Sequence, residues 1–310
     1  MIADARGRII VAFSSVATTH LPKAYDASGR FLRQIGAEGE GPGEFRRGEL
    51  LTLGGNDSIF VIDKQLGRRS DFRPDFTFVK SLLMLPRVDA AVRLRTGDWV
   101  LNTEVNDRER VGRSFHLFGA DGGHRRSFGN PVGRIDPNPD LSKKIRRMWP
   151  ARDGGFWSVP WTHKYVIEHW TASGTKTRSI EPSSSWFVPY ESLGDVRTTP
   201  TQAPVGRVTA LFEDEAGLVW IVGHAADAKW STGLGPAQRA EGQSYHPVVD
   251  RSKVFDGIIE VFDPRSGTLL ARRRVPDPLD FVLRSGVVAG IVEDDDGRLS
   301  ARAFRLILVR

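Results

Sequence analysis

The sequence predicts an all-β fold, a six-bladed β-propeller of mostly four-stranded antiparallel blades, and three observations carry that expectation. A polar turn recurs six times along the 310 residues, each time followed closely by a short, largely apolar strand. A hairpin unit, seen most fully in Tyr25-Asp-Ala-Ser-Gly-Arg-Phe-Leu-Arg-Gln-Ile-Gly36, recurs through the chain. The 32 glycines suit many tight turns, and the 8 tryptophans suit packing between short sheets. A lone hairpin cannot bury its apolar face in water, so a chain of such units must pack them against one another.

The polar turns are Asp4-Ala-Arg-Gly7, Gly54-Gly-Asn-Asp-Ser58, Arg95-Thr-Gly-Asp98, Arg152-Asp-Gly-Gly155, Asp214-Glu-Ala-Gly217 and Asp294-Asp-Asp-Gly297. The strands after them begin near Ile9, Ile59, Trp99, Phe156, Leu218 and Leu299. Each fuller repeat reads as four strands, the polar turn joining the first two and a glycine-ended turn joining the last two. Trp99, Trp157 and Trp220 then fall on second strands. Variants of the hairpin recur at Val61 to Phe78, Phe115 to Phe128, His169 to Ile180 and Ile259 to Val275.

Loops absorb the irregular spacing. Gly36 to Phe45 is a glycine-rich exit, and Gly133 to Trp149 is an insertion with a helical turn expected over Leu141 to Met148. Glu181 to Val205 connects the fourth and fifth repeats. Gly223 to Phe255 is the largest insertion and interrupts the fifth repeat between its second and third strands. Arg305 to Arg310 leaves no room for a further hairpin, so either the last blade is short or residues before Met1 complete it. The expectation is one domain over residues 1–310.

Composition narrows the function. The formal charge of +6 comes from 44 basic and 38 acidic residues with both signs interspersed, and Lys143-Lys-Ile-Arg-Arg147 is too short a patch to track a polyanion. No nucleic-acid partner is expected. No apolar run approaches the roughly 18 residues of a membrane span, and Met1 to Arg8 carries charges where a signal peptide needs an apolar core. Cysteine is absent, which excludes disulfides, thiolate ligands and a cysteine nucleophile. A monomer is expected.

In a blade of this kind, loops after the second and fourth strands share one face, which is the default binding site. Gly39-Glu-Gly-Pro-Gly-Glu44 reads as a structural turn, since it matches no phosphate-loop spacing and carries two carboxylates. His20, His163 and His224 each follow a second strand, with Asn102 or Glu104 at the comparable place in the third repeat. They form a weak candidate set for a divalent ion near the propeller axis, without any His-x-His or His-Glu-x-x-His spacing. Ser14, Ser15, Ser183 to Ser185 and Ser244 lack a nucleophile elbow, and Glu104 with Glu213 or Asp214 could form an acid/base pair only through the fold. The aromatic set is the stronger binding signal. Trp161 with His163, Trp186 with Phe187 and Tyr190, and Trp230 with Tyr245 and His246 offer rigid contact area for a ligand or partner. The same rings could instead anchor long loops, so both readings stay open.

Tyr25 to Gly36 together with Gly39-Glu-Gly-Pro-Gly-Glu-Phe45 resembles bacterial six-bladed β-propeller proteins related to NHL-repeat domains. The match is specific over about residues 1 to 85 and elsewhere follows the repeat pattern. The resemblance implies an exported or cell-envelope setting and a propeller used as a binding platform for a protein or small molecule. No cofactor is expected, a divalent ion near the axis being the alternative. The alternative it implies is a metal-dependent hydrolase of the lactonase-like propeller type. The expected ligand- or partner-binding residues are Trp161, His163, Trp186, His224, Trp230, Tyr245 and His246, and no catalytic residue is assigned.

Overall fold

The computed structural model describes residues 1–12, 21–103, 105, 110, 112–129, 145–161, 163–190, 199–240, 243–293 and 299–309. They form six antiparallel blade sheets, five of four strands and one of three, the fold class of a six-bladed β-propeller. Two compact units divide the chain. The first holds Met1–Pro139 with the short pieces Asp153–Phe156 and Thr171–Lys176; the second holds Asp140–Arg152, Trp157–Trp170 and Thr177–Arg310.

Local chemistry explains why the polar turns work. Asp4 Oδ1 accepts the backbone N–H of Arg6 at 3.0 Å and of Arg8 at 2.8 Å, while the Gly7 N–H closes the turn on the Asp4 carbonyl at 3.1 Å. Asp214 repeats the device, accepting the Leu218 N–H at 2.9 Å and the Trp220 indole N–H at 2.7 Å. Gly217 sits at φ +78°, where an L side chain would be strained. The aspartate thus satisfies the turn's own donors, and Asp214 also pins Trp220, the second residue of the next strand.

Trp99, Trp157 and Trp220 lie on the second strands Trp99–Asn102, Phe156–Pro160 and Val219–Ala226, as the turn spacing predicts. A further regularity appears across blades. Tyr25, Phe72, Phe118, Trp170 and Phe262 each stand at or beside the end of a third strand, just before the turn into the fourth. All but Tyr25 are buried.

Each unit carries its own cores. In the first unit Ile10, Ala24, Ile35, Phe45, Ile59, Val61 and Phe72 pack the first two sheets together, and Phe60, Ile62, Val88, Trp99, Leu101 and Phe118 pack the second to the third. In the second unit Trp157, Val159, Tyr165, Ile167, Val208, Leu211, Val219 and Ile221 join the fourth and fifth sheets. Phe212, Trp220, Val222, Ile259, Val261, Leu279 and Val288 join the fifth and sixth. Phe45 enters its core from the glycine-rich loop, where Glu44 folds back to accept the Gly41 N–H at 2.7 Å and the Arg68 guanidinium caps the Glu40 and Gly41 carbonyls at 2.6 and 2.9 Å.

Three expectations are corrected. Arg146–Pro150 is a strand, the first of the fourth sheet, where the sequence suggested a helical turn; residues 141–144 lie outside the described residues. Pairing with Phe156–Pro160 overrides a weak helical preference, because the second strand's backbone groups need a partner. The second strand of the fifth sheet runs on to Ala226, so the insertion spans 227–254 rather than beginning at Gly223. The sixth repeat is shifted by one strand. Its strands are Phe281–Arg284, Val287–Glu293 and Leu299–Arg305, so Gly286 at φ +75° turns between the first two and the Asp294 to Gly297 stretch follows the second. Burial decides this register: Val288 and Ala289 are buried, whereas Ala301 to Ala303 are exposed.

Candidate functional site

The insertion is tied down at its base and folded on itself. Ala226 and Phe255 form the last rung of the ladder between the second and third strands of the fifth sheet, and the Asp227 N–H continues it to the Val254 carbonyl at 2.9 Å. A 3-10 turn over Trp230–Gly233 and a small hairpin of Gln238–Ala240 with Gln243–Tyr245 follow. A one-turn helix, Arg251–Val254, is capped by Asp250, whose side chain accepts the N–H groups of Ser252 and Lys253. Gly233 lets this helix seat, since a Cβ there would lie 2.6 Å from the Asp250 carbonyl oxygen and 2.7 Å from Val254. The cap fixes Arg251 and delivers Phe255 to the sheet.

Between the insertion and the sheet lies a cavity of about 330 Å³, walled by Tyr190, Pro204, Val205, Arg207, Val248, Arg251 and Phe255. Most of this wall is apolar or aromatic, and two guanidiniums interrupt it. Arg251 is committed to Asp280, with its Nη2 2.6 Å from Oδ1, and Asp280 Oδ2 accepts the Ile291 N–H at 3.0 Å. Arg207, the first residue of the strand Arg207–Glu213, is half-buried and is oriented from behind. Its Nε donates to His224 Nδ1 at 3.3 Å, and its guanidinium carbon stands 5.1 Å from the centre of the Phe255 ring. Among the described residues no carboxylate lies within ion-pair distance of Arg207, and its two terminal nitrogens have no hydrogen-bond partner. Burial, and then the like charge of Arg251, push its pKa below the ordinary arginine value, with Asp280 and Tyr190 opposing.

His224 is fully buried on the second strand, its ring 5.4 Å from that of Phe255 and its Nε2 3.5 Å from Asp280 Oδ1. Burial first, then Arg207 and Arg251, hold its pKa well below the ordinary 6.5, so it is neutral at pH 7. Its Nδ1 lone pair is taken by Arg207.

The other residues singled out in the sequence do not converge on this cavity. Trp186 donates its indole N–H to Glu260 Oε1 at 3.0 Å and packs with Tyr165 and Phe187, ring centres 5.2 and 5.5 Å away. Trp161 stacks under Arg147 at 5.4 Å, with His163 half-buried two residues on. Within the insertion Trp230 starts the 3-10 turn, the Tyr245 hydroxyl donates to Gln238 Oε1 at 2.7 Å, and His246 Nδ1 lies 2.9 Å from the Gly235 carbonyl. Glu213 and Asp214 are spoken for: Glu213 Oε2 accepts the Trp157 indole at 3.0 Å and the Arg152 N–H at 2.9 Å, and Asp214 holds its own turn. His20, Glu104, Ser14 and Ser15 lie outside the described residues, as does the side chain of Ser244. Among the described residues no three His, Asp or Glu side chains come together as a metal site.

Sequence reasoning missed Arg207, Arg251, Phe255 and Asp280. Tyr190, noted among the loop aromatics, and His224, which holds Arg207 from behind, pointed this way, but an arginine at a strand start looks like any solvated charge until the fold half-buries it.

No known family model matches this sequence, and no curated protein resembles it significantly. Solved structures do. A candidate exported protein of Bacteroides fragilis superposes over 94% of this chain and 80% of its own, with TM-score 0.55 at 10% identity. A DUF4221 family member from Bacteroides vulgatus matches over 98% and 96%, with TM-score 0.56 at 7% identity. Virginiamycin B lyase from Staphylococcus aureus covers 99% and 83%, with TM-score 0.46 at 11% identity. At such identities the likeness is one of fold alone. No helix among the described residues is long and apolar enough to cross a membrane.

Proposed function

We propose that this chain is a non-catalytic binding propeller whose ligand occupies the cavity beneath the 227–254 insertion. The observation that carries this reading is the cavity's composition: Val248 and Arg251 come from the insertion, Arg207 and Phe255 from the sheet, and Tyr190, Pro204 and Val205 from the preceding connection. A loop that merely covered a sheet edge would gain most by collapsing onto it and removing apolar surface from water. This one instead stands off over a space at the lower end of the range of small-molecule sites.

The test uses two altered proteins and a fragment library of mixed charge, read by thermal shift. In one protein residues 228–253 are replaced by a short Gly/Ser linker; in the other Val248→Trp fills the cavity while leaving the insertion in place. Both are first checked for cooperative unfolding. Fragments that stabilise the parent protein should lose their effect in both variants. Fragments that stabilise all three proteins equally, or none that stabilises the parent, would contradict the reading.

A further inference from the structure

We infer that the ligand of this cavity is a small organic monocarboxylate with an apolar or aromatic body, bound through its carboxylate by the terminal nitrogens of Arg207. The inference rests on the cavity reading above and adds to it the chemical class of the ligand.

Charge accounting selects the anion. Of the groups around the cavity, Arg251 and Asp280 neutralise each other at 2.6 Å, and His224 is neutral and already accepts from Arg207. Among the described residues Arg207 is left with no carboxylate paired to it, although the charge of Asp280 also acts on it. A half-buried cation without a paired counter-ion bears a desolvation cost, and a structural arginine in this position would be expected to carry a carboxylate partner. The same second unit shows how such a partner is normally supplied. Arg272 donates to the fully buried Glu260 at 2.5 Å, and Arg146 lies 3.3 Å from Glu168.

Geometry selects the carboxylate. Nε of Arg207 is used from behind by His224, and the Phe255 ring lies against the guanidinium, so the planar fork is held with its Nη1 and Nη2 edge remaining. Those two nitrogens can give a carboxylate two parallel hydrogen bonds. One net positive charge suits a monoanion better than a dianionic phosphate. Pro204, Val205, Val248 and Phe255 supply an apolar wall for the rest of the molecule, which a bare inorganic ion would leave unused.

The experiment is isothermal titration at constant ionic strength with benzoate and phenylacetate, each against its neutral amide, and with inorganic phosphate. The carboxylates should bind about 10- to 100-fold more tightly than the amides, the gain expected of charge-assisted hydrogen bonds. Arg207→Met should erase that difference, and Val248→Trp should abolish binding of both. Amides binding as well as carboxylates and blocked by Val248→Trp would leave the cavity standing and overturn the carboxylate. Phosphate outbinding both carboxylates, carboxylate binding untouched by Arg207→Met, or no carboxylate binding at all would also overturn it. Binding unaffected by Val248→Trp would sink the cavity reading itself.

Discussion

Two charged groups of the fifth sheet, the fully buried Glu260 and the half-buried Arg207, are treated in opposite ways. Glu260, on the third strand, is fully buried and saturated: the Tyr165 hydroxyl and the Trp186 indole donate to it, and Arg272 pairs with it at 2.5 Å. Burial, and then the Glu260 charge, push the Tyr165 pKa well above the usual tyrosine value, so the hydroxyl stays protonated and donating. Arg207, on the first strand, has one side-chain hydrogen bond among the described residues, to a neutral histidine, and an open cavity in front of it. A charge enclosed by partners holds a fold together. On the proposed reading, the charge enclosed on one side only is positioned for the ligand.

The largest effect should come from breaking the saturated group. Glu260→Ala leaves Arg272 without its carboxylate and strands two buried donors, and should cost about 3–5 kcal/mol in urea denaturation. Trp186→Phe removes one donor and keeps most of the ring packing, and should cost about 1–3 kcal/mol by the same measurement. Together these would mark the Trp186 cluster as an anchor for the connection between the fourth and fifth sheets.

His224 tests the other side. Its folded pKa lies well below the 6.5 of the unfolded chain, so below that value the unfolded state takes up a proton that the folded state refuses. Its contribution is therefore complete above about pH 6.5 and is lost as pH falls toward the folded pKa, with a slope of up to about 1.4 kcal/mol per pH unit. Comparing the pH dependence of stability in the parent and in His224→Gln isolates this term, and the difference should vanish above pH 7. A slope unchanged by the substitution would mean that His224 titrates normally.

The same contrast explains what the sequence could reveal. The turns were legible because their chemistry is local: Asp214, Gly217 and Trp220 make one device within seven residues, and its recurrence announces the blades. The sixth repeat misled because Asp294 to Gly297 resembles that device, yet burial of Val288 and Ala289 sets the strand order. Trp186 and Tyr245 were visible as large rings, but a ring's partner is a tertiary fact, and theirs proved to be Glu260 and Gln238. Arg207 carried no signal because its meaning lies in an absent neighbour. Among the described residues no carboxylate pairs with it: Asp256 is held by Arg274, Glu260 by Arg272 and Asp280 by Arg251.

The most direct measurement is the stability of ligand-free Arg207→Met against that of the parent protein. A structural arginine would cost several kcal/mol on removal, as Glu260 should. An arginine whose charge awaits a ligand is a burden to the empty protein, so the variant should unfold within about 0.5 kcal/mol of the parent or be more stable. A loss of about 3 kcal/mol or more would contradict the account and make Arg207 part of the scaffold.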